Sequence, residues 1–272
     1  MTDFISLFKY DFFVSALIIG TLVSVCAALL GVSLVLKRYS MIGDGLSHVG
    51  FGASAVALAF GVAPLYIAIP AVLAAAFLLL KLGKNTSIKG DAATALFASS
   101  ALAIGYTVAK LTSGGNIDIS NYMFGSIYTL GREDLIITVV VALIVLILYA
   151  LFYNKLFSVT FDEDFAKATG IKTHLYNSLL ACLTAVTVVI GMRMMGTLLI
   201  SALIIFPVLS AIKLAKSYKS VIITAVVVSL VGFLGGLVLS LALQTSPGSS
   251  VVIVNLAIYL ICTVFHKILK KV

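Results

Sequence analysis

Residues 195–243 read MGTLLISALIIFPVLSAIKLAKSYKSVIITAVVVSLVGFLGGLVLSLAL. Two continuous apolar runs, 195–212 and 220–243, lie either side of a short polar bridge that holds Lys213, Lys216 and Lys219. Crossing about 30 Å of hydrocarbon takes about 20 helical residues, so each run is long enough to span a bilayer. Lipid offers no hydrogen bonds, and a continuous apolar run satisfies its backbone only as a helix; a barrel strand would alternate over about ten residues instead. The same alternation of apolar run and polar bridge fills the rest of the chain, at 12–36, 41–60, 64–80, 90–111, 133–154, 173–191 and 251–268. The expected fold is an all-α polytopic membrane protein of eight or nine transmembrane helices.

Composition points the same way. Of 272 residues, 62% are apolar and 10% charged, and the mean hydropathy is +1.22. Soluble domains run near 45–50% apolar and about 25% charged. The spans use up the length, leaving one membrane domain over 1–272 and no separate soluble one. Fourteen of the eighteen Lys and Arg residues fall in one set of alternate bridges, which the positive-inside rule assigns to the cytoplasm. That asymmetry accounts for the net charge of +8, and no basic groove with interleaved aromatics suggests nucleic acid. With nine spans the amino terminus lies outside and the carboxyl terminus inside. The start MTDFISLFKYDFF lacks the pattern of a removable signal peptide. Cys26, Cys182 and Cys262 are isolated in apolar runs, so neither a disulfide framework nor a cysteine metal site is expected.

One stretch breaks the apolar pattern: SMIGDGLSHVGFGAS, residues 40–54. Asp44 and His48 stand four apart, which on a helix puts them on one face with Cβ atoms about 5–6 Å apart. Carboxylate oxygen and imidazole nitrogen each bind a first-row metal at about 2.0–2.2 Å, so the pair has chelating reach for one divalent cation. Small residues surround it, among them Gly43 and Gly50, and they let a helix or a passing ion approach the backbone. The same letters also fit a cytoplasmic turn, with Asp44 as a helix N-cap and His48 a packed bystander.

Two bridges exceed a turn. The outer one, from Thr112 to Arg132, mixes glycine with Tyr122, Phe124 and Tyr128, as in an interfacial aromatic belt or a surface that receives an outside partner. The inner one, NKLFSVTFDEDFAKATGIKT from Asn154 to Thr173, holds a short amphipathic helix: Asp162, Glu163 and Asp164 form an acidic start, Phe165 and Ala166 follow, and Gly170 takes the C′ position. A cytoplasmic protein would grip there. Pro207 interrupts its apolar segment and predicts a kink. No G-x-x-x-x-G-K-[ST] phosphate loop occurs, so any ATP-driven work belongs to another chain. No H-E-x-x-H or G-x-S-x-G motif marks an intramembrane hydrolase, and no enzyme activity is expected.

Six stretches, in order, resemble one family: LGVSLVLKRYSMIGDGLSHVGFGASAVAL (30–58), KGDAATALFASSALAIG (89–105), NYMFGSIYTLGREDL (121–135), FDEDFAKATGI (161–171), MGTLLISALIIFPVLSA (195–211) and TSPGSSVVIV (245–254). The family is that of the membrane permease subunits of bacterial manganese and zinc ABC importers, the metal-ABC or ABC-3 type. The resemblance implies a homodimer in the bacterial cytoplasmic membrane, two ATP-binding cassette subunits inside and a metal-binding protein outside. It implies no permanently bound cofactor, the cargo being a divalent metal, Mn²⁺ or Zn²⁺ and by the same donor chemistry Fe²⁺. It places Asp44 and His48 on the translocation path and makes 161–171 the segment that docks on the ATPase. One departure is Pro247-Gly248-Ser249-Ser250, where the family has Ser-Gly-Pro. Two other cargo readings stand beside this one: an ABC permease for a chelated metal or cobalamin, and an ion-coupled secondary carrier, for which no internal repeat is seen.

Overall fold

The computed structural model describes residues 11–85, 90–113 and 132–269. Among them are ten helices and no strand: α1 Asp11–Leu36, α2 Ile42–Ala59, α3 Pro64–Asn85, α4 Gly90–Ser113, α5 Arg132–Leu151, α6 Tyr153–Phe161, α7 Glu163–Ala168, α8 Thr173–Leu214, α9 Tyr218–Leu243 and α10 Pro247–Leu269. By length and composition seven segments can cross a membrane, or eight if the bent pair α5 and α6 is one span. The helix that carries Asp44 and His48 is not among them; its Gly, Ser, Asp and His dilute the apolar content. Tyr122, Phe124 and Tyr128 of the outer bridge lie outside the described residues.

The expected span 133–154 does not stop in a loop. The chain bends by 70° at Phe152 and continues as α6, where a plain connector was expected before Asp162. Aromatic packing holds the bend: Tyr153, Phe157 and Phe161 lie 5.8, 4.9 and 5.7 Å from the Tyr218 ring at the start of α9. The buried Tyr218 hydroxyl is in turn hydrogen-bonded to Ser33 Oγ at 3.0 Å and to the Tyr149 hydroxyl at 3.2 Å. Satisfied polar groups of this kind fix one arrangement of four helices where an apolar contact would tolerate several.

At 42 residues α8 is too long for one span, and it breaks at Gly196 (φ 82, ψ 163). The chain doubles back there. A Cβ on Gly191 would lie 2.5 Å from Ile200 Cδ1, whereas a straight helix would separate those residues by about 13 Å. The kink expected at Pro207 is not where the helix breaks; Pro207 sits buried inside the second half of α8, and the non-helical residue is Gly196. These dihedrals belong to a region open to glycine alone, where a side chain costs of order 1–3 kcal/mol. Gly196→Ala is accordingly expected to lower the thermal midpoint of the purified, detergent-solubilised protein by about 2–8 °C. A midpoint equal to that of the wild type would show that the reversal does not depend on glycine.

The two halves of α8 form the centre: 67% and 72% of their spanning windows are buried, against 28% for α3, α4 and α10. Helix α2 is wedged between that centre and α4. A Cβ on Gly52 would come within 2.4 Å of the Ala101 carbonyl oxygen, and one on Gly45 within 2.4 Å of Thr94 Cγ2. Helix association in lipid depends on such close approach, because no hydrophobic gain separates protein from acyl chain.

Candidate cation path

Helix α2 starts after an N-cap at Met41, so Asp44 lies in the first helical turn and is not the cap. Its main-chain carbonyl accepts from Ser47 Oγ at 2.8 Å. The side chains of Asp44 and His48 are 32% and 17% exposed, and Asp44 Oδ1 stands 3.8 Å from His48 Nε2. That gap is too wide for a hydrogen bond. Two ligands on one cation at about 2.1 Å and the tetrahedral angle would be about 3.4 Å apart, so closing by a few tenths of an ångström would let both reach the same ion. Among the described residues no group of three or more His, Cys, Asp or Glu converges. Among the described residues one chain thus offers this pair and no third donor of those kinds beside it.

The second half of α8 reaches the pair from across the fold. Ser201 Oγ donates to Asp44 Oδ1 at 3.1 Å and is also 3.2 Å from the Thr197 carbonyl. Ser201 further lines a cavity of about 430 Å³ whose other walls, apart from Ser249, are Gly248 and apolar residues, Leu198, Phe206, Val252 and Ile253 among them. Of the small residues expected to let a helix or a passing ion approach, Gly43 and Gly50 are buried against neighbouring helices: a Cβ on them would meet Ile204 Cδ1 and Met192 Sδ, both at 2.6 Å.

At the basic end of the molecule α7 forms as its letters foretell. Asp162 caps it, with Oδ1 accepting from the Asp164 and Phe165 amides at 3.0 and 2.9 Å. Its exit is a Schellman turn: the Gly170 amide donates to the Lys167 carbonyl and the Ile171 amide to that of Ala166, both at 2.9 Å. Gly170 has φ +82, open to glycine without cost. Ala166 is buried and Phe165 is 63% exposed, beside Phe161 at 62%.

The three acidic residues divide their work. Asp164 is almost fully exposed and pairs with Lys167 at 3.2 Å; the hydrogen bond to Asp164, then the charges of Asp164 and Glu163, hold the Lys167 ammonium above the usual lysine range. Glu163 instead turns inward. It lies 3.7 Å from the largely buried Lys37 at the end of α1 and accepts from Asn177 Nδ2 of α8 at 3.1 Å. Lys37 Nζ also donates to Asn177 Oδ1. The inner helix is therefore tied to both α1 and the first half of α8. Composition marked Lys37 as a cytoplasmic charge and gave no sign of Asn177, Ser201 or this tie.

Comparison with known proteins matches the geometry. A family model described as the ABC 3 transport family covers residues 9–266. The high-affinity zinc uptake system membrane protein ZnuB of Haemophilus influenzae is 29% identical over 252 residues, 93% of this chain and 97% of that protein. The manganese import system permease protein ScaB of Streptococcus gordonii is 29% identical over 255 residues, 94% and 91% of the two chains. Among solved structures, PsaBC from Streptococcus pneumoniae in complex with Fab superposes with a TM-score of 0.84 at 30% identity, over 94% of this chain and 92% of that one. With nearly its whole length matched and its helices superposed, the chain belongs to the ABC 3 transport family, the permease subunits of ABC transporters, and is a transport component and not an enzyme.

Proposed function

We propose that this chain is the permease of an ABC importer that carries Mn²⁺ or Zn²⁺, with Fe²⁺ chemically acceptable, across a bacterial cytoplasmic membrane. The observation that carries the cargo is the Asp44–His48 pair, largely buried on a helix rich in small residues. A mixed oxygen and nitrogen set suits these cations, with selectivity left to geometry and supply. Such an ion takes four to six ligands, and a second copy of the chain related by a two-fold axis would bring a second pair to the first. A homodimer is the assembly that makes the site sufficient. The relatives act on zinc and manganese by name.

Work comes from outside the chain. Two ATP-binding cassette subunits grip α6 and α7 from the cytoplasm, and a metal-binding protein delivers the ion from the opposite side. Movement of α7 reaches α1 and α8 through Glu163, Lys37 and Asn177, and α8 carries Ser201 to Asp44. Exposure of the pair then alternates between the two sides of the membrane. A path must also release its ion, so the two pairs hold it only transiently.

The test is uptake by cells expressing the complex, measured for Mn²⁺, Zn²⁺ and Fe²⁺ supplied singly. ATP-dependent accumulation of at least one bare cation is the expected result. Accumulation of a chelate alone, with all three bare ions excluded, would overturn it.

A further inference from the structure

Thr197 is the first residue after the break at Gly196 and opens the half of α8 that carries Ser201. It is 2% exposed, and its hydroxyl has no hydrogen-bond partner among the described residues. Thr187, buried in the first half of α8, likewise has no partner among the described residues, but Thr107, Thr184 and Thr263 turn back on the carbonyl of the residue four earlier, at 2.8, 2.7 and 2.8 Å. For Thr197 that residue is Arg193, on the far side of the reversal, so the usual acceptor is out of register.

Its position relative to the pair follows from the helix register. Gly43 faces Ile204 and Asp44 meets Ser201, so α2 and the second half of α8 run antiparallel. Four residues onward along α2 and four residues back along α8, a rise of about 6 Å on each, bring His48 and Thr197 to one level. Thr197 and Ser201, four apart, share a helix face. The face of α8 that meets Asp44 thus presents two hydroxyls, one engaged with the carboxylate and one buried without a partner.

We propose that the Thr197 hydroxyl is a further ligand of the passing cation, at the level of His48, and that it biases the path toward Mn²⁺ over Zn²⁺. The proposal rests on Asp44 and His48 lining the path. Hydroxyl and carboxylate oxygens are hard donors that suit Mn²⁺, whereas imidazole alone favours Zn²⁺. Adding one neutral oxygen shifts selectivity without adding charge that would trap the ion.

The experiment compares Mn²⁺ and Zn²⁺ uptake by the complete transporter in proteoliposomes for wild type, Thr197→Val, Thr197→Ser and Thr197→Cys, with Asp44→Ala alongside. Thr197→Val is expected to lower Mn²⁺ uptake about 10-fold and Zn²⁺ uptake less. Thr197→Ser keeps the wild-type ratio, and Thr197→Cys, with a soft sulfur at the same place, moves it toward Zn²⁺. If the valine variant does not copurify with the ATPase, the serine and cysteine variants decide between them. Equal ratios across all variants, with Asp44→Ala inactive, overturn the Thr197 ligand and leave the path standing. Unchanged uptake in Asp44→Ala overturns the path and the ligand together.

Discussion

Asp44→Ala is expected to reduce uptake of every divalent cation by about 100-fold or more, beyond the 10- to 100-fold losses that follow from disturbing residues around a metal ligand. The substitution removes the one carboxylate of the pair, leaving His48 without its partner and Ser201 Oγ without its side-chain acceptor. A neutral imidazole cannot offset the charge of a divalent ion in a low-dielectric setting, so the barrier to passage rises steeply. Folding is little affected, since the Asp44 side chain is 32% exposed and the contacts that seat α2 are made by Gly43, Gly45, Gly50 and Gly52. The variant should therefore copurify with its ATPase at wild-type yield. Asp44→Asn, which keeps shape and one acceptor oxygen but no charge, should fall between. Measured uptake of radiolabelled Mn²⁺ equal to that of the wild type in Asp44→Ala would remove the pair from the path.

Phe165→Ala should weaken association with the ATPase about 10- to 100-fold. Burying a phenylalanine is worth about 1.5–3 kcal/mol, and central aromatic anchors dominate interfaces of this kind. Phe165 is 63% exposed on a helix whose two ends are fixed by Asp162 and Gly170. Because Ala166, its neighbour, carries the buried contact, truncation at 165 leaves α7 folded. The contrast is Glu163→Gln. That change removes the charge that pairs with Lys37 and with Lys167 but leaves the exposed Phe161 and Phe165 rings in place, so the ATPase should still bind while ATP hydrolysis ceases to drive uptake. Titration of purified ATPase onto the immobilised permease, followed by uptake in proteoliposomes, separates the two. Unaltered binding in Phe165→Ala would move the docking surface elsewhere.

Much of this architecture was legible in the letters because its causes are local. Apolar runs and the distribution of lysines give helices and sides. Asp162 and Gly170 give the start and stop of α7, since an N-cap and a left-handed C′ residue act within one turn. Spacing puts Asp44 and His48 on one face. Locality also explains the misjudged places. A proline in an apolar run suggested an interruption at Pro207, which sits inside the second half of α8, and nothing in the sequence marked Gly196, where the helical dihedrals are lost. The letters before Asp162 suggested a connector, yet the rings around Tyr218, across some sixty residues of sequence, make them the helix α6.

By itself the sequence determined that the chain is a bundle of membrane helices with basic residues on one side, a carboxylate and an imidazole one turn apart, and a capped helix on the inner bridge. These follow from solvent partition and from hydrogen bonds that close within four residues. The tertiary structure alone decided that Ser201, 157 positions away, holds Asp44, that Glu163 looks inward to Lys37 and Asn177, and that the Thr197 hydroxyl finds no partner among the described residues. Each depends on which helix faces which and at what height, and that is set by close packing of side chains from distant segments, which no local period in the sequence records.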